Sequence, residues 1–235
     1  MCILLSNLKR KFKKQVLIYT RKVDNFKIEI KKKYLWYGNS YGGFYICPDL
    51  LNEKSVIYSF GIGEDISWDL KINNQFNCNI YMFDPTPKSI NWVKKQNLNK
   101  AFHFYDYGIA SETSLVDFYL PTNPDHVSGS ILKHKYVDNR MKVSVSMKSL
   151  ADICKELHHI HIDILKMDIE GAEYETIASI LDSGIQIDQI LIEFHSRFFE
   201  DGVNKTNNAI DYFRNKGYKI FAVSDSFEEV SFIKN

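Results

Sequence analysis

The chain has 235 residues, 45% of them hydrophobic and 25% charged, the balance of an ordinary globular protein of one large or two small domains. Disorder over most of the chain is excluded. So is a membrane span, because no uninterrupted apolar run approaches the roughly 20 residues needed to cross a bilayer. The net charge of +1 conceals a division: residues 1–33 carry eleven Lys and Arg against Asp24 and Glu29, a net of +9, which leaves −8 for residues 34–235.

That basic arm begins with an apolar stretch, Met1 to Leu5, which stops at Ser6 and precedes the Lys and Arg. A secretory signal has the opposite order. Four dispersed cysteines (Cys2, Cys47, Cys78, Cys154) form no CxxC pair, which indicates a reducing compartment and neither a disulfide scaffold nor a cysteine-built zinc site. The expected setting is the cytoplasm. The arm has two readings, a solvated extension or a surface for an anionic membrane or an acidic glycan. Nucleic acid is disfavoured, because regular aromatic interleaving and zinc-finger spacing are both missing.

From Tyr34 to Tyr45 the chain is aromatic and rich in glycine, with Gly38, Gly42 and Gly43, so neither regular helix nor strand is expected there. Short apolar runs then alternate with amphipathic segments. Strands are predicted over 56–60, 79–83 and 101–105, with helices over 65–77 and 89–96 between and after the first two. Ser114 to Leu120 reads as an extra strand, Pro121 to Asp125 as a loop, and Met147 to Leu157 as a helix. A strand over 162–167, a helix over 172–181 and a strand over 189–194 follow. A helix over 207–215 ends at Gly217, a C-terminal cap, and strands over 218–223 and 229–233 form a closing hairpin. Alternation at this spacing indicates a mostly parallel sheet with helices on both faces. The expected fold is α/β, a seven-stranded Rossmann-like sheet ending in an antiparallel hairpin, with one domain over 34–235 behind the extension 1–33.

Four segments carry candidate chemistry. Gly61-Ile62-Gly63-Glu64-Asp65 follows the first strand, where glycines permit a tight turn and close approach of a ligand. Ile66 stands where a dinucleotide fingerprint would have its third glycine, and Glu64 and Asp65 would repel a pyrophosphate. A ligand with a cationic part suits the turn better than NAD. Asp84 lies 21 positions after Gly63, at the end of the second strand, placed to accept ribose hydroxyls. Lys166, Asp168, Glu170 and Glu173 cluster around another strand end, where open α/β sheets face their ligand crevice. Glu193 and His195 share one face of the next strand, and His195 is a candidate base or, with Asp168 and Glu193, an alternative metal site. His158, His159 and His161 are read as solvated surface residues.

Together, residues 57–65, Phe83 to Pro87, Tyr107 to Ala110 and Leu165 to Tyr174 resemble the FkbM-type methyltransferases. The resemblance implies S-adenosyl-L-methionine as methyl donor and an oxygen acceptor, often on a sugar or a natural product, with a place in surface glycan biosynthesis. It implies that Gly61 and Gly63 contact the donor, Asp84 its ribose, and Asp106, Tyr107 and Gly108 its adenine. Lys166, Asp168 and Glu170 match the signature block. Ser59 departs from the family, many members of which carry an acid there, and Glu64 or Asp65 is expected to replace it. Asp168 or His195 is the expected base. The acceptor pocket is expected from the 34–45 stretch and the 121–140 segment, with His126, Ser128, Ser130 and Arg140, and from Glu193. A non-catalytic module that only binds the donor, and an NAD-dependent oxidoreductase, are the alternatives.

Overall fold

A computed structural model describes residue 16 and residues 26–122, 129–132 and 137–235. Two short strands, β1 (Leu35–Tyr37) and β2 (Phe44–Ile46), pair antiparallel, although no regular structure was expected there. The glycines occupy the loop between the strands, with Gly38 at φ 93°, and the aromatic residues flank it. Buried Gln189 anchors the hairpin, accepting from the Cys47 amide at 2.7 Å and donating to its carbonyl at 3.2 Å.

The main sheet begins with β3 (Val56–Phe60), followed by α1 (Ser67–Phe76), β4 (Asn79–Phe83), α2 (Pro87–Val93) and β5 (Phe102–Tyr105). The chain then leaves for a second sheet of β6 (Gly108–Ile109), β7 (Ser114–Pro121) and β8 (Val137–Lys148). It returns through α3 (Leu150–Leu157), β9 (His161–Met167), α4 (Glu173–Asp182), β10 (Gln186–Glu193), α5 (Gly202–Asn215), β11 (Tyr218–Val223) and β12 (Glu229–Lys234). The seven strands lie in the order β11-β12-β10-β9-β3-β4-β5. Strands β5, β4, β3, β9 and β10 run parallel, whereas β12 is antiparallel to both β10 and β11. The connections run one way from β3 and the other way from β9. The boundary between these two strands is therefore a topological switch point, where such sheets place their ligands.

Side chains of β3 divide between two cores by strand alternation. Tyr58 and Phe60 pack with Ile153 of α3, Ile177 of α4 and Phe213 of α5. Ile57 packs with Trp68 and Ile72 of α1 and Val93 of α2.

The middle of the chain departs from expectation. Met147 lies in β8, and the helix starts only at Leu150, where the Ser149 hydroxyl caps the Asp152 amide at 3.2 Å. Met147 extended the helical period by coincidence of spacing. The true signal is two-residue alternation through Met141, Val143, Val145 and Met147, the mark of a half-buried strand. His159 is also not a solvated residue: it is half-buried, 2.8 Å from the Tyr58 hydroxyl and edge-on to Tyr81. Residues 26–30 of the extension are tied to the domain. The Glu29 amide donates to the Ile220 carbonyl at 2.8 Å, and Arg214 donates to the Glu29 carboxylate at 2.6 Å. Among the described residues, no helix is long and apolar enough to cross a membrane.

Candidate active site

The carboxyl ends of β3, β4 and β9 open into a cleft lined by the glycine turn, Asp84, Lys166, Asp168 and Glu170, by Trp68 and Asp69 of α1, and by Tyr41. Only glycine can begin the turn. Gly61 adopts φ 80°, and a Cβ there would lie 1.6 Å from the Asp168 carbonyl oxygen, far inside contact distance. The turn is wedged between its neighbours, with the Gly61 amide donating to Phe83 and the Asp168 amide donating to Phe60, both at 3.1 Å.

Asp84, 4% exposed, organises this turn. One carboxylate oxygen accepts from the Ile62 and Gly63 amides, both at 2.9 Å. The other accepts from the Thr86 amide and hydroxyl at 2.9 and 2.7 Å. An ionised carboxylate has about four acceptor positions, and protein donors fill them here. Asp84 thus holds the glycine turn while lining the cleft beside it. The other two acids of the turn are also engaged. Asp65 accepts from Asn39 at 2.6 Å and from the Ser67 amide at 2.8 Å, and Glu64 lies 3.6 Å from Lys88.

Asp168 and Glu170 of the cleft belong to a cluster of charge around His195, which is 1% exposed. Its Nδ1 lies 2.8 Å from Glu173, and its Nε2 lies 3.3 Å from Glu170, 3.5 Å from Glu193 and 3.7 Å from Asp168. The turn after β9 makes this convergence possible. Glu170 at φ 53° and Gly171 at φ 97° reverse the chain, and the Ser130 hydroxyl fixes the turn by donating to the Glu170 carbonyl at 2.8 Å. Burial alone would lower the His195 pKa, but Glu173, Glu170 and Asp168 hold it well above the ordinary histidine value. Both ring nitrogens thus face carboxylates, Nδ1 that of Glu173 and Nε2 those of Glu170, Glu193 and Asp168. Desolvation pushes Asp168 up to about 6 against the pull of His195 and Lys166. Desolvation and the neighbouring Asp168 push Glu193 up to about 9.

The structure brings Asp168, Glu193 and His195 together, with one ligand atom from each within 4.8 Å of the others. Glu173 was grouped with the strand-end charges in the sequence, but its bond to His195 Nδ1 was not expected, since an acid in a first helical turn ordinarily serves the helix dipole. Of the adenine set, Gly108 lines the cleft. Tyr107 is buried, its hydroxyl donating to Glu156 at 3.3 Å, and Asp106 is exposed. Of the acceptor set, Ser130 is buried as a structural bond to the Glu170 turn. Arg140 is exposed and paired with Asp138 at 3.2 Å. His126 and Ser128 lie outside the described residues.

Two solved structures align with part of this chain. Fibrillarin from Aeropyrum pernix, solved in complex with natively bound S-adenosyl-L-methionine, aligns with a TM-score of 0.41 at 10% identity, over 78% of this chain and 66% of that one. An rRNA methylase from Streptococcus thermophilus aligns with a TM-score of 0.37 at 10% identity, over 79% and 90%. A human protein described as "Probable methyltransferase-like protein 24" is 24% identical over 155 residues, 65% of this chain. The match spans only 36% of that relative's length. The family model of the methyltransferase FkbM domain matches residues 60–220. That stretch runs from the last residue of β3 to β11 and holds the glycine turn, Asp84, the Asp168 strand end and His195, so the chain belongs to the FkbM methyltransferase family.

Proposed function

We propose that the protein is an S-adenosylmethionine-dependent O-methyltransferase acting on a sugar or other small-molecule hydroxyl, with a role in surface glycan biosynthesis in the cytoplasm. One observation carries this reading: Asp168, at the switch-point end of β9, is a carboxylate raised to about 6 on the floor of the cleft. A base with that pKa is largely ionised at neutral pH and still receives a proton readily. Two acids at the same end of the cleft, Asp168 and Glu170, suit an acceptor that presents several hydroxyls.

In the reaction, the acceptor oxygen attacks the sulfonium methyl carbon in line. The carbon–sulfur bond breaks, its electron pair stays on sulfur, and S-adenosylhomocysteine leaves. The hydroxyl proton passes to Asp168. His195 is a positioning residue whose positive charge keeps Asp168 from rising further, and Glu173 holds the ring by Nδ1. The proton on Nε2 supplies the counter-charge that the surrounding acids need, so the reading is free of a divalent metal. Residues 1–33, at +9, support peripheral contact with an anionic membrane.

The test is transfer of labelled methyl from S-adenosylmethionine to a panel of sugar and nucleotide-sugar acceptors. Label is expected on oxygen, and a chelator is expected to leave the rate unchanged. Asp168→Asn is expected to cut turnover by about 10²- to 10⁴-fold, and the wild-type rate to rise with pH through about 6 as Asp168 ionises. Loss of activity with chelator, restored by Mg²⁺ or Mn²⁺, would instead favour Asp168, Glu193 and His195 as metal ligands.

A further inference from the structure

We propose that Asp69 and Lys166 form the subsite for the amino-acid end of the methyl donor, Asp69 taking its α-ammonium group and Lys166 its α-carboxylate. The inference rests on the donor assignment above and adds the residues that recognise one part of it. Asp69 lies in the first turn of α1 and is 1% exposed, yet its Oδ1 has no hydrogen-bond partner. Lys166, on β9, is 5% exposed and donates to the Gly61 carbonyl at 3.2 Å, one bond for an ammonium group that has three donors. Both residues line the cleft, and the Lys166 charge works against the rise that burial imposes on the Asp69 carboxyl, but no ion pair joins them among the described residues. A buried charge without a partner is unfavourable. A ligand that presents an ammonium and a carboxylate on one carbon relieves both at once.

The alternatives within the turn are already occupied. Glu64 and Asp65, the acids expected to stand in for the carboxylate missing at Ser59, face Lys88 and the Asn39–Ser67 pair respectively. Asp84 is filled by the backbone of the turn. Asp69 reaches the neighbourhood of Ser59 from the helix side, and the Ser59 hydroxyl lies close enough to moderate the rise that burial imposes on its carboxyl. The missing acid has thus moved from the strand to the helix that follows it.

Calorimetry on the full-length protein tests the assignment with S-adenosylhomocysteine, its deaminated and decarboxylated analogues, and 5′-methylthioadenosine, which lacks the amino acid altogether. The wild type is expected to lose about 10- to 100-fold in affinity for each charged group removed, the range for hydrogen bonds to charged groups. Asp69→Asn should weaken S-adenosylhomocysteine but not the deaminated analogue. Lys166→Met should weaken S-adenosylhomocysteine but not the decarboxylated one. Variants that weaken all four ligands alike, or a wild type that binds methylthioadenosine as tightly as S-adenosylhomocysteine, would overturn the subsite. The wild-type series decides the matter by itself if either variant fails to fold. Absence of binding by all four ligands would overturn the donor assignment instead.

Discussion

At the scale of single residues, the site is governed by one buried histidine among four acids. His195, Asp168 and Glu193 all hold their protons more tightly here than in an unfolded chain. A histidine raised in this way stabilises the fold below its unfolded value of about 6.5 and loses that contribution as pH climbs through its folded value. Glu193, raised to about 9, adds slope of the same sign up to that pH, and Asp168, raised to about 6, adds it only below pH 6. The melting temperature is therefore expected to fall steadily from pH 6 to pH 9, and Glu193→Gln should remove much of that slope. A flat or rising profile by thermal unfolding would contradict the charge arrangement. Strand parity alone brought Glu193 and His195 to one face in the sequence, and the strand end brought in Asp168. The bond of Glu173 to His195 was illegible because it depends on where β10 ends relative to α4, a tertiary fact. The internal partners of Asp84 and Tyr107 were illegible for a related reason. Their residue types fit a ligand, but the folded chain supplies closer partners in the glycine turn and in Glu156.

At the scale of elements, the glycine turn is the joint between β3, β4 and β9. Gly61→Ala places a methyl group 1.6 Å from the Asp168 carbonyl at a positive φ, so the strand ends must separate. The expected destabilisation is about 3 kcal/mol or more, at the upper end for overpacking with backbone shift. Gly184→Ala is the control: its φ is +78° but nothing lies within 4 Å, and only the left-handed backbone penalty of about 1–2 kcal/mol applies. Equal losses for the two variants in urea unfolding would show that contact with Asp168 is not what constrains Gly61. The parallel strands were readable because each is a short apolar run set between amphipathic segments. The second sheet was less so. Val137–Lys148 alternates by twos, but its last apolar residue falls in phase with the next helix and masks the boundary. The β1–β2 hairpin was hidden by glycines that belong to its loop, not its strands.

At the scale of the molecule, charge is segregated: +9 over residues 1–33 and −8 over the rest. The structure refines where the arm divides from the domain, since Glu29 is bonded to Arg214 and to both the amide and carbonyl of Ile220. Deletion of residues 1–25, which spares these bonds, is expected to abolish binding to vesicles containing phosphatidylserine and to leave the melting temperature unchanged. Binding by the full chain should weaken as salt rises and the Debye length shrinks to about 3 Å at 1 M. Salt-insensitive binding, or none by the full chain, would contradict a membrane role for the arm. The central claim concerns the cleft at the β3–β9 switch point, and titration calorimetry of the full-length protein with S-adenosylhomocysteine and, separately, with NAD tests it most directly. Saturable one-to-one binding of S-adenosylhomocysteine with no heat from NAD is the expected result. No heat from S-adenosylhomocysteine, or saturable binding of NAD, would contradict it.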